Sequence, residues 1–239
     1  MLSKDVIPCR GTAPETCSTA RCQRGCLTLD EMSFRICDRF AETGCRDSSD
    51  VDYLRWYADL VAPFGSGAAV LELGMKYGTG LALWSAFLPD GLAVGVDIDL
   101  TMYRQNYGTL QRRGFLRGSN FFALEADATT PAMIEALAGL EGPRRPRLLF
   151  DLVVEDTSHF SRDIIRSFEL LFPSRFLAPG GLYVVEDMDA MHGPDNQQTA
   201  REYFHNMSAA VLSRVHPLVS QAEGLVEEVT FLRRRIVIK

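Results

Sequence analysis

The chain contains 239 residues, of which 46% are hydrophobic and 23% are charged, and its formal net charge is −6. That composition is ordinary for a globular domain with a sizeable core. A nucleic-acid binder usually presents a basic face, and the scattered arginines of this acidic chain argue against a nucleic-acid partner. No apolar run is long enough to span a membrane, and the N-terminus lacks the apolar centre of a secretory signal.

The cysteines are confined to the first 45 residues. They are Cys9, Cys17, Cys22, Cys26, Cys37 and Cys45. Their spacing does not repeat a C-x-x-C pair and so gives little support to a zinc ribbon, whereas an even number allows either three disulfides or free thiols. We predict a cysteine-rich N-terminal extension over residues 1–47. We expect a cytoplasmic location. Because of the cysteines, an oxidising compartment remains an open alternative.

Beyond residue 47 the sequence alternates between helix and strand patterns, beginning with the amphipathic helix "DSSDVDYLRWYADLV". The apolar strand patterns are "AAVLELG", "LAVGVDID", "SNFFALEAD", "RLLFDLVVED" and "GGLYVVEDM". Helical patterns separate them, among them "SRDIIRSFELLF", for which Ser161 is the predicted N-cap. Two further strand patterns, "GLVEEVTFL" and "RRIVIK", predict a hairpin.

This alternation predicts an α/β fold with a Rossmann-like, doubly wound, mostly parallel seven-stranded sheet and an antiparallel C-terminal strand. Arginines flank two of the probable strands, at positions 144, 145 and 147 and at 233–235. We interpret both groups as solvated surface. In open sheets of this kind ligands bind outside the carboxyl ends of the strands, so the residues that end each strand are the candidates for a site.

The first three strands end in acidic residues beside a glycine-rich turn. The turn reads "LELGMKYGTGL", and its spacing differs from the G-x-G-x-x-G of a dinucleotide fold. Glycines allow a tight turn and a close approach of a ligand to the backbone. Acids around such a turn suit a ligand that has hydroxyl groups and a cationic end. The candidate binding residues are Glu72, Gly74, Gly78, Gly80, Asp97, Asp99 and Asp127.

The fourth and fifth strands end in "VEDTSH" and "VVEDMD". In neighbouring parallel strands, Asp156, Glu186 and Asp187 would meet at one point and repel one another unless a cation lay between them. Oxygen ligands favour a hard ion, so we predict a site for Mg²⁺ or Mn²⁺. His159 can face the same pocket, and an imidazole, whose ordinary pKa is about 6.5, is suited to act there as a general base.

From about residue 65 to residue 239 the sequence resembles the class I S-adenosylmethionine-dependent methyltransferases. The resemblance implies a methyltransferase domain over residues 48–239, with S-adenosylmethionine as cofactor. Glu72 and the glycines would then form the opening motif of the family. Asp97 or Asp99 would hold the ribose hydroxyls, and Asp127 would lie near the adenine amine.

The stretch "VEDTSHFSRDIIRSFELLFPSRFLAPGGLYVVEDM" resembles the metal-dependent sugar O-methyltransferases of macrolide biosynthesis, of the macrocin and mycinamicin type. Their pattern is roughly D-D-G-S-H, a helix, "LFP" and then P-G-G-x-Y-V-x-E-D. The chain departs from it at Glu155, which replaces the first Asp, and at Thr157, which replaces the Gly. The resemblance implies that the metal ligands are Asp156, Glu186 and Asp187. It also implies that His159 is the catalytic base.

An O-methyltransferase that acts on a hydroxylated small molecule, such as a natural-product sugar, is the function that this resemblance implies. Members of the family often assemble, so a homo-oligomer is also expected. Two alternatives remain open. One is a catalytically silent binding module with a methyltransferase fold. The other is a catechol-type O-methyltransferase, although those enzymes typically have D-N where this chain has Glu186 and Asp187.

Overall fold

The structure is a computed structural model that describes residues 51–141, 147–172, 174, 176–188, 199–213, 226–232 and 234–239. The six cysteines and the domain boundary predicted near residue 48 lie outside the described residues, as do Arg144, Arg145 and Arg233. In the described ranges, no helix combines the length and the apolar character needed to cross a membrane.

Helices and strands alternate along the described chain, as the sequence predicts. The helices are α1 (Val51–Val61), α2 (Thr79–Phe87), α3 (Thr101–Arg112), α4 (Pro131–Ala138), α5 (Ser161–Leu171) and α6 (Ala200–Ser213). The strands are β1 (Ala69–Leu73), β2 (Leu92–Asp97), β3 (Phe121–Glu125), β4 (Phe150–Glu155), β5 (Leu177–Val185), β6 (Val229–Phe231) and β7 (Ile236–Ile238). A short 3₁₀ turn, Ala62–Phe64, follows α1.

The seven strands form one sheet in the order β3-β2-β1-β4-β5-β7-β6. Strand β4 pairs in parallel with both β1 and β5, while β7 runs antiparallel to β5 and to β6. Strands β1, β2 and β4 are buried over nearly their whole lengths, as expected for parallel strands that are covered on both faces. The predicted mostly parallel sheet with an antiparallel C-terminal strand is confirmed.

The described residues form two compact units that alternate along the chain. The first unit contains the described residues up to Ala69 together with Lys76–Ala93 and Thr101–Phe122, and so holds α1, α2 and α3. Its core includes Tyr57 of α1, whose ring packs edge-on against Trp84 of α2 with the centroids 4.8 Å apart. Both rings are buried, which explains the apolar stripe that the sequence predicts for α1.

The second unit contains Val70–Met75, Val94–Leu100 and the described residues from Ala123 onward. Its core is aromatic. The ring of Phe168 in α5 packs edge-on against Tyr183 of β5 and Phe204 of α6, with centroid distances of 5.1 and 5.2 Å. This packing fixes α5 against β5 and α6, so the turn that enters α5 is held close to the end of β4.

The predicted N-cap of α5 is wrong. The helix begins at Ser161, and the capping position falls on Phe160, whose side chain makes no capping hydrogen bond. The hydroxyl that accepts a local backbone hydrogen bond belongs instead to Ser158, which receives the N–H of Phe160 at 3.2 Å. Serine in a turn can bond to the backbone two residues on, and that local turn replaces the predicted cap.

Candidate active site

The carboxyl ends of β4 and β5 lie side by side, as the sequence predicts. In the parallel pairing Glu155 is opposite Val185, and the N–H of Glu186 donates to the carbonyl oxygen of Glu155 at 2.9 Å. On the other side, the N–H of Asp156 donates to the carbonyl oxygen of Leu73 at 2.9 Å. Asp156 therefore leaves the sheet between the end of β1 and the first residue after β5.

Asp156, His159 and Asp187 come together at this edge of the sheet. Each offers one ring nitrogen or carboxylate oxygen, and these three atoms lie within 4.8 Å of one another. Nε2 of His159 is 3.9 Å from Oδ1 of Asp156. The backbone is left-handed at His159 (φ 59°) and at Asp187 (φ 49°), a conformation that is uncommon for residues other than glycine and is concentrated at functional sites.

Glu186, the third predicted metal ligand, lies next to this group of three rather than in it. Its side chain is buried, and its Oε1 is 3.5 Å from Nε of Arg235. Asp187 has a similar partner, since a guanidinium nitrogen of Arg234 donates to its Oδ1 at 2.9 Å. Two predicted metal ligands therefore each face an arginine.

The interpretation of the 233–235 run as solvated surface is wrong for Arg235, whose side chain is 18% exposed, whereas Arg234 is 39% exposed and still pairs with Asp187. Strand β7 runs antiparallel beside β5, with Ile236 opposite Val185. The residues just before β7 therefore lie beside the residues just after β5, where the two acids are. The N–H of Met188 also donates to the carbonyl oxygen of Arg234 at 3.0 Å, which fixes the two segments to each other.

Carboxylates crowd this end of the sheet. Burial raises the pKa of Asp156 well above its usual range, and the charges of Glu186 and Asp187 raise it further. Burial also raises the pKa of Glu155 to about 7, although hydrogen bonds from Thr157 partly oppose the shift. An acid whose pKa is raised by neighbouring acids in this way favours a site that takes up positive charge.

The end of β1 contributes Glu72 and Gly74. Glu72 is buried, and its Oε2 has no hydrogen-bond partner among the described residues. Burial, followed by the charges of Glu186 and Asp97, raises the pKa of Glu72 to about 8. Gly74 has φ 89°, and a Cβ there would lie 2.0 Å from the carbonyl oxygen of Asp156. The sequence predicts a close approach at this glycine, and the approaching group in the structure is the protein's own backbone.

Gly78 and Gly80 belong to the first unit, at the start of α2. Gly78 occupies the capping position with a left-handed backbone, and Gly80 lies in the first turn. The turn before them is held by Asn106 of α3, which is buried and whose side-chain nitrogen donates to the carbonyl oxygen of Tyr77 at 2.9 Å. The role of Asn106 was missed from the sequence, because a single polar residue in an amphipathic helix carries no distinctive pattern.

The acids after β2 and β3 are held by their own turns. Oδ1 of Asp97 accepts the N–H of Asp99 at 3.1 Å, and Asp99 itself is exposed. Oδ1 of Asp127 accepts both the N–H and the hydroxyl of Thr129, at 2.8 and 2.7 Å. The two turns are adjacent, since the N–H of Ala126 donates to the carbonyl oxygen of Asp97 at 2.9 Å. Of the two acids after β2, Asp97 is the one whose charge reaches Glu72.

Solved structures share this arrangement of strands and helices. The MycE methyltransferase of the mycinamycin biosynthetic pathway, in complex with Mg and SAH, matches with a TM-score of 0.59 and 20% sequence identity. The match covers 88% of this chain and 54% of that one. The chain has the fold of the Rossmann-like methyltransferases. No protein-family model matches it.

The amino-acid sequence is also similar to those of curated methyltransferases. The chain is 32% identical over 151 residues to the 8-demethyl-8-alpha-L-rhamnosyl tetracenomycin-C 2'-O-methyltransferase of Streptomyces olivaceus, over 59% of this chain and 34% of that protein. It is also 32% identical over 132 residues to the mycinamicin VI 2''-O-methyltransferase of Micromonospora griseorubida. That match covers 52% of this chain and 28% of that protein. The resemblance predicted from the sequence is confirmed, and the chain spans about a third of the length of these relatives.

Proposed function

We propose that the chain is an S-adenosylmethionine-dependent O-methyltransferase that methylates a hydroxyl group of a small molecule with the help of a divalent cation. The observation that carries the proposal is the meeting of Asp156, His159 and Asp187 at the ends of β4 and β5, in a methyltransferase fold. The acceptor class that we propose is a natural-product sugar, because the curated relatives are named as methyltransferases of a rhamnosyl tetracenomycin and of mycinamicin VI.

The residues at these strand ends fit a hard divalent cation. Carboxylate oxygens of Asp156 and Asp187 lie within 4.8 Å of each other, and burial together with the neighbouring acids raises the pKa of Asp156. Asp156, Glu186 and Asp187 would hold Mg²⁺ or Mn²⁺, which prefer such oxygen ligands. The ion would lower the pKa of an acceptor hydroxyl that binds beside it.

His159 is the proposed general base. Its ring nitrogen lies 3.9 Å from a carboxylate oxygen of Asp156, so it can reach an acceptor hydroxyl that is held near the acids. His159 would accept the hydroxyl proton as the acceptor oxygen bonds to the methyl carbon. S-Adenosylmethionine supplies that methyl group from its sulfonium sulfur, which keeps the electron pair of the broken bond. The acids orient the acceptor oxygen toward the methyl carbon, and holding the reacting atoms in line lowers the barrier to transfer.

Glu72 is the proposed anchor of the cofactor. Its buried Oε2 needs a donor that the described residues do not provide, and a cationic ligand group would satisfy it. We assign the ribose hydroxyls to Asp97 or Asp99 and the adenine amine to Asp127. We assign Gly74, Gly78 and Gly80 to the glycine-rich opening motif that follows Glu72.

Calorimetry tests this function directly. We expect the wild-type chain to bind S-adenosylmethionine and, in a separate titration, Mg²⁺. Asp187→Ala removes one proposed metal ligand and should weaken Mg²⁺ binding at least tenfold while cofactor affinity changes little. His159→Ala should keep both affinities and lower turnover of a sugar-bearing acceptor by about 10² to 10⁴, the usual contribution of a general base.

The matched control is Asp59→Ala, which removes an exposed acid of α1 and should leave both titrations unchanged. Failure of the wild-type chain to bind S-adenosylmethionine, with or without Mg²⁺, would overturn the proposal. Cofactor binding without turnover on a panel of hydroxylated acceptors would instead favour the binding module.

A further inference from the structure

The two positions at which the chain departs from the D-D-G-S-H pattern are bonded to each other. The hydroxyl of Thr157 donates a hydrogen bond to Oε1 of Glu155. A glycine at position 157 would have no hydroxyl for this bond. The two departures are therefore one structural feature rather than two separate changes.

Glu155 is buried, with 1% of its surface exposed. Side chains alternate along a strand, so it lies on the opposite face of β4 from Asp156 and on the same face as Val153, which is paired with Tyr183 of β5. On that face the hydroxyl of Ser167 in α5 lies 3.5 Å from Oε1 of Glu155 and 3.0 Å from the carbonyl oxygen of Ile164, and its proton is shared between these two acceptors. One carboxylate thus connects the end of β4, the turn after it and helix α5.

The turn that carries His159 is held at two points. Thr157 is bonded to Glu155, and the hydroxyl of Ser158 donates to Oδ2 of Asp163 in α5 at 2.7 Å. His159 follows directly, with its left-handed backbone. Loss of the contact at Thr157 would therefore loosen the turn between Asp156, whose backbone N–H stays bonded to Leu73, and His159.

We propose that Glu155 is a positioning residue that sets, through Thr157, the placement of Asp156 and His159. The consequence for catalysis rests on the proposed function, whereas the placement itself does not. A carboxyl group has two oxygens with several lone pairs, so the turn and α5 can share one anchor. Mutation of a residue that orients metal ligands typically lowers metal affinity or activity by about 10- to 100-fold.

The test replaces the hydroxyl of Thr157 and leaves Glu155 in place. Thr157→Val removes the hydroxyl at nearly constant volume, and Thr157→Ser restores it in a matched variant. In Thr157→Val we expect amide hydrogen exchange of residues 156–160 to speed up about tenfold, and Mg²⁺ affinity and kcat each to fall about tenfold. Cofactor affinity should not change, and Thr157→Ser should resemble the wild type in every measurement.

Unchanged exchange and unchanged Mg²⁺ affinity in Thr157→Val would overturn the proposal. If the wild-type chain neither binds S-adenosylmethionine nor turns over, the proposed function fails on its own, and the exchange rates then decide whether Glu155 and Thr157 hold the turn. Glu155→Gln completes a double-mutant cycle with Thr157→Val. Residues that act through one contact should give a double variant no worse than the more damaging single one.

Discussion

Glu72 is a buried carboxyl group at the end of β1 whose Oε2 has no hydrogen-bond partner among the described residues. Its pKa is raised to about 8, first by burial and then by the charges of Glu186 and Asp97. At neutral pH it is therefore mostly protonated in the ligand-free chain. A cationic ligand group beside Glu72 would lower that pKa again, so cofactor binding and proton release from this residue should be coupled.

The raised pKa of Glu72 predicts how the stability of the ligand-free chain depends on pH. The folded-state pKa of Glu72, about 8, is above the ordinary value of 4.5, so the folded chain holds an extra proton between these two values. Stability of the ligand-free chain should therefore fall as pH rises from about 4.5 to 8, by an amount on the order of a few kcal/mol. In Glu72→Gln this part of the slope should disappear.

Urea unfolding at roughly pH 5, 6.5 and 8 measures this slope. The control is Glu125→Gln at the end of β3, where the side chain is exposed. An unchanged slope in Glu72→Gln would mean that the carboxyl group is ionised in the folded chain and has a partner.

Strands β1 and β4 approach closely where they end, and Gly74 is the residue that permits it. Its φ of 89° disfavours any other residue, and a Cβ at this position would lie only 2.0 Å from the carbonyl oxygen of Asp156. Gly74→Ala should therefore destabilise the chain by about 2 kcal/mol or more and displace Asp156. Mg²⁺ affinity should fall together with the unfolding temperature.

Gly67→Ala is the control for that substitution, because a Cβ at Gly67 would meet nothing within 4 Å. Its unfolding temperature should stay close to that of the wild type. If Gly74→Ala unfolded like Gly67→Ala, the ends of β1 and β4 would have to be further apart in solution than they are in the structure.

Local patterns were sufficient to predict the elements and the neighbouring acids, but not the contacts that depend on strand order. Alternating apolar segments predict β4 and β5, and the rule for parallel sheets then brings Asp156 and Glu186 to the same edge. Nothing local indicates that β7 lies beside β5, so the partners of Arg234 and Arg235 could not be predicted. The bond between Glu155 and Thr157 was missed for a different reason, since each residue looked like an isolated departure from a family pattern.

The hairpin of β6 and β7 links the C-terminal part of the fold to the acidic strand ends. It presents Arg235 to Glu186 at 3.5 Å and Arg234 to Asp187 at 2.9 Å. The first pair is the more buried, with 18% and 4% of the two side chains exposed, against 39% and 22% in the second. The hairpin therefore stabilises the acids as well as the sheet, and the two arginines should contribute unequally.

Arg235→Met leaves Glu186 buried without this cation. Breaking a buried ion pair by removing one partner costs about 3 kcal/mol or more, whereas an exposed pair is worth about 1 kcal/mol or less. We expect Arg235→Met to lower the unfolding temperature clearly more than Arg234→Met, and Mg²⁺ to restore part of the loss. Thermal unfolding with a chelator and with excess Mg²⁺ measures both effects, and equal small losses in the two variants would contradict the prediction.

The left-handed backbone at His159 and at Asp187 has a consequence for any attempt to raise the thermal stability of this protein. Each residue costs about 1 to 2 kcal/mol in that conformation, and glycine would remove most of the cost. Glycine, however, offers neither an imidazole nor a carboxylate. A laboratory selection for heat resistance alone would therefore favour glycine at His159 and discard the imidazole, whereas glycine at Asp187 would also lose the hydrogen bond from Arg234. A selection on this chain should be run with turnover as a second criterion.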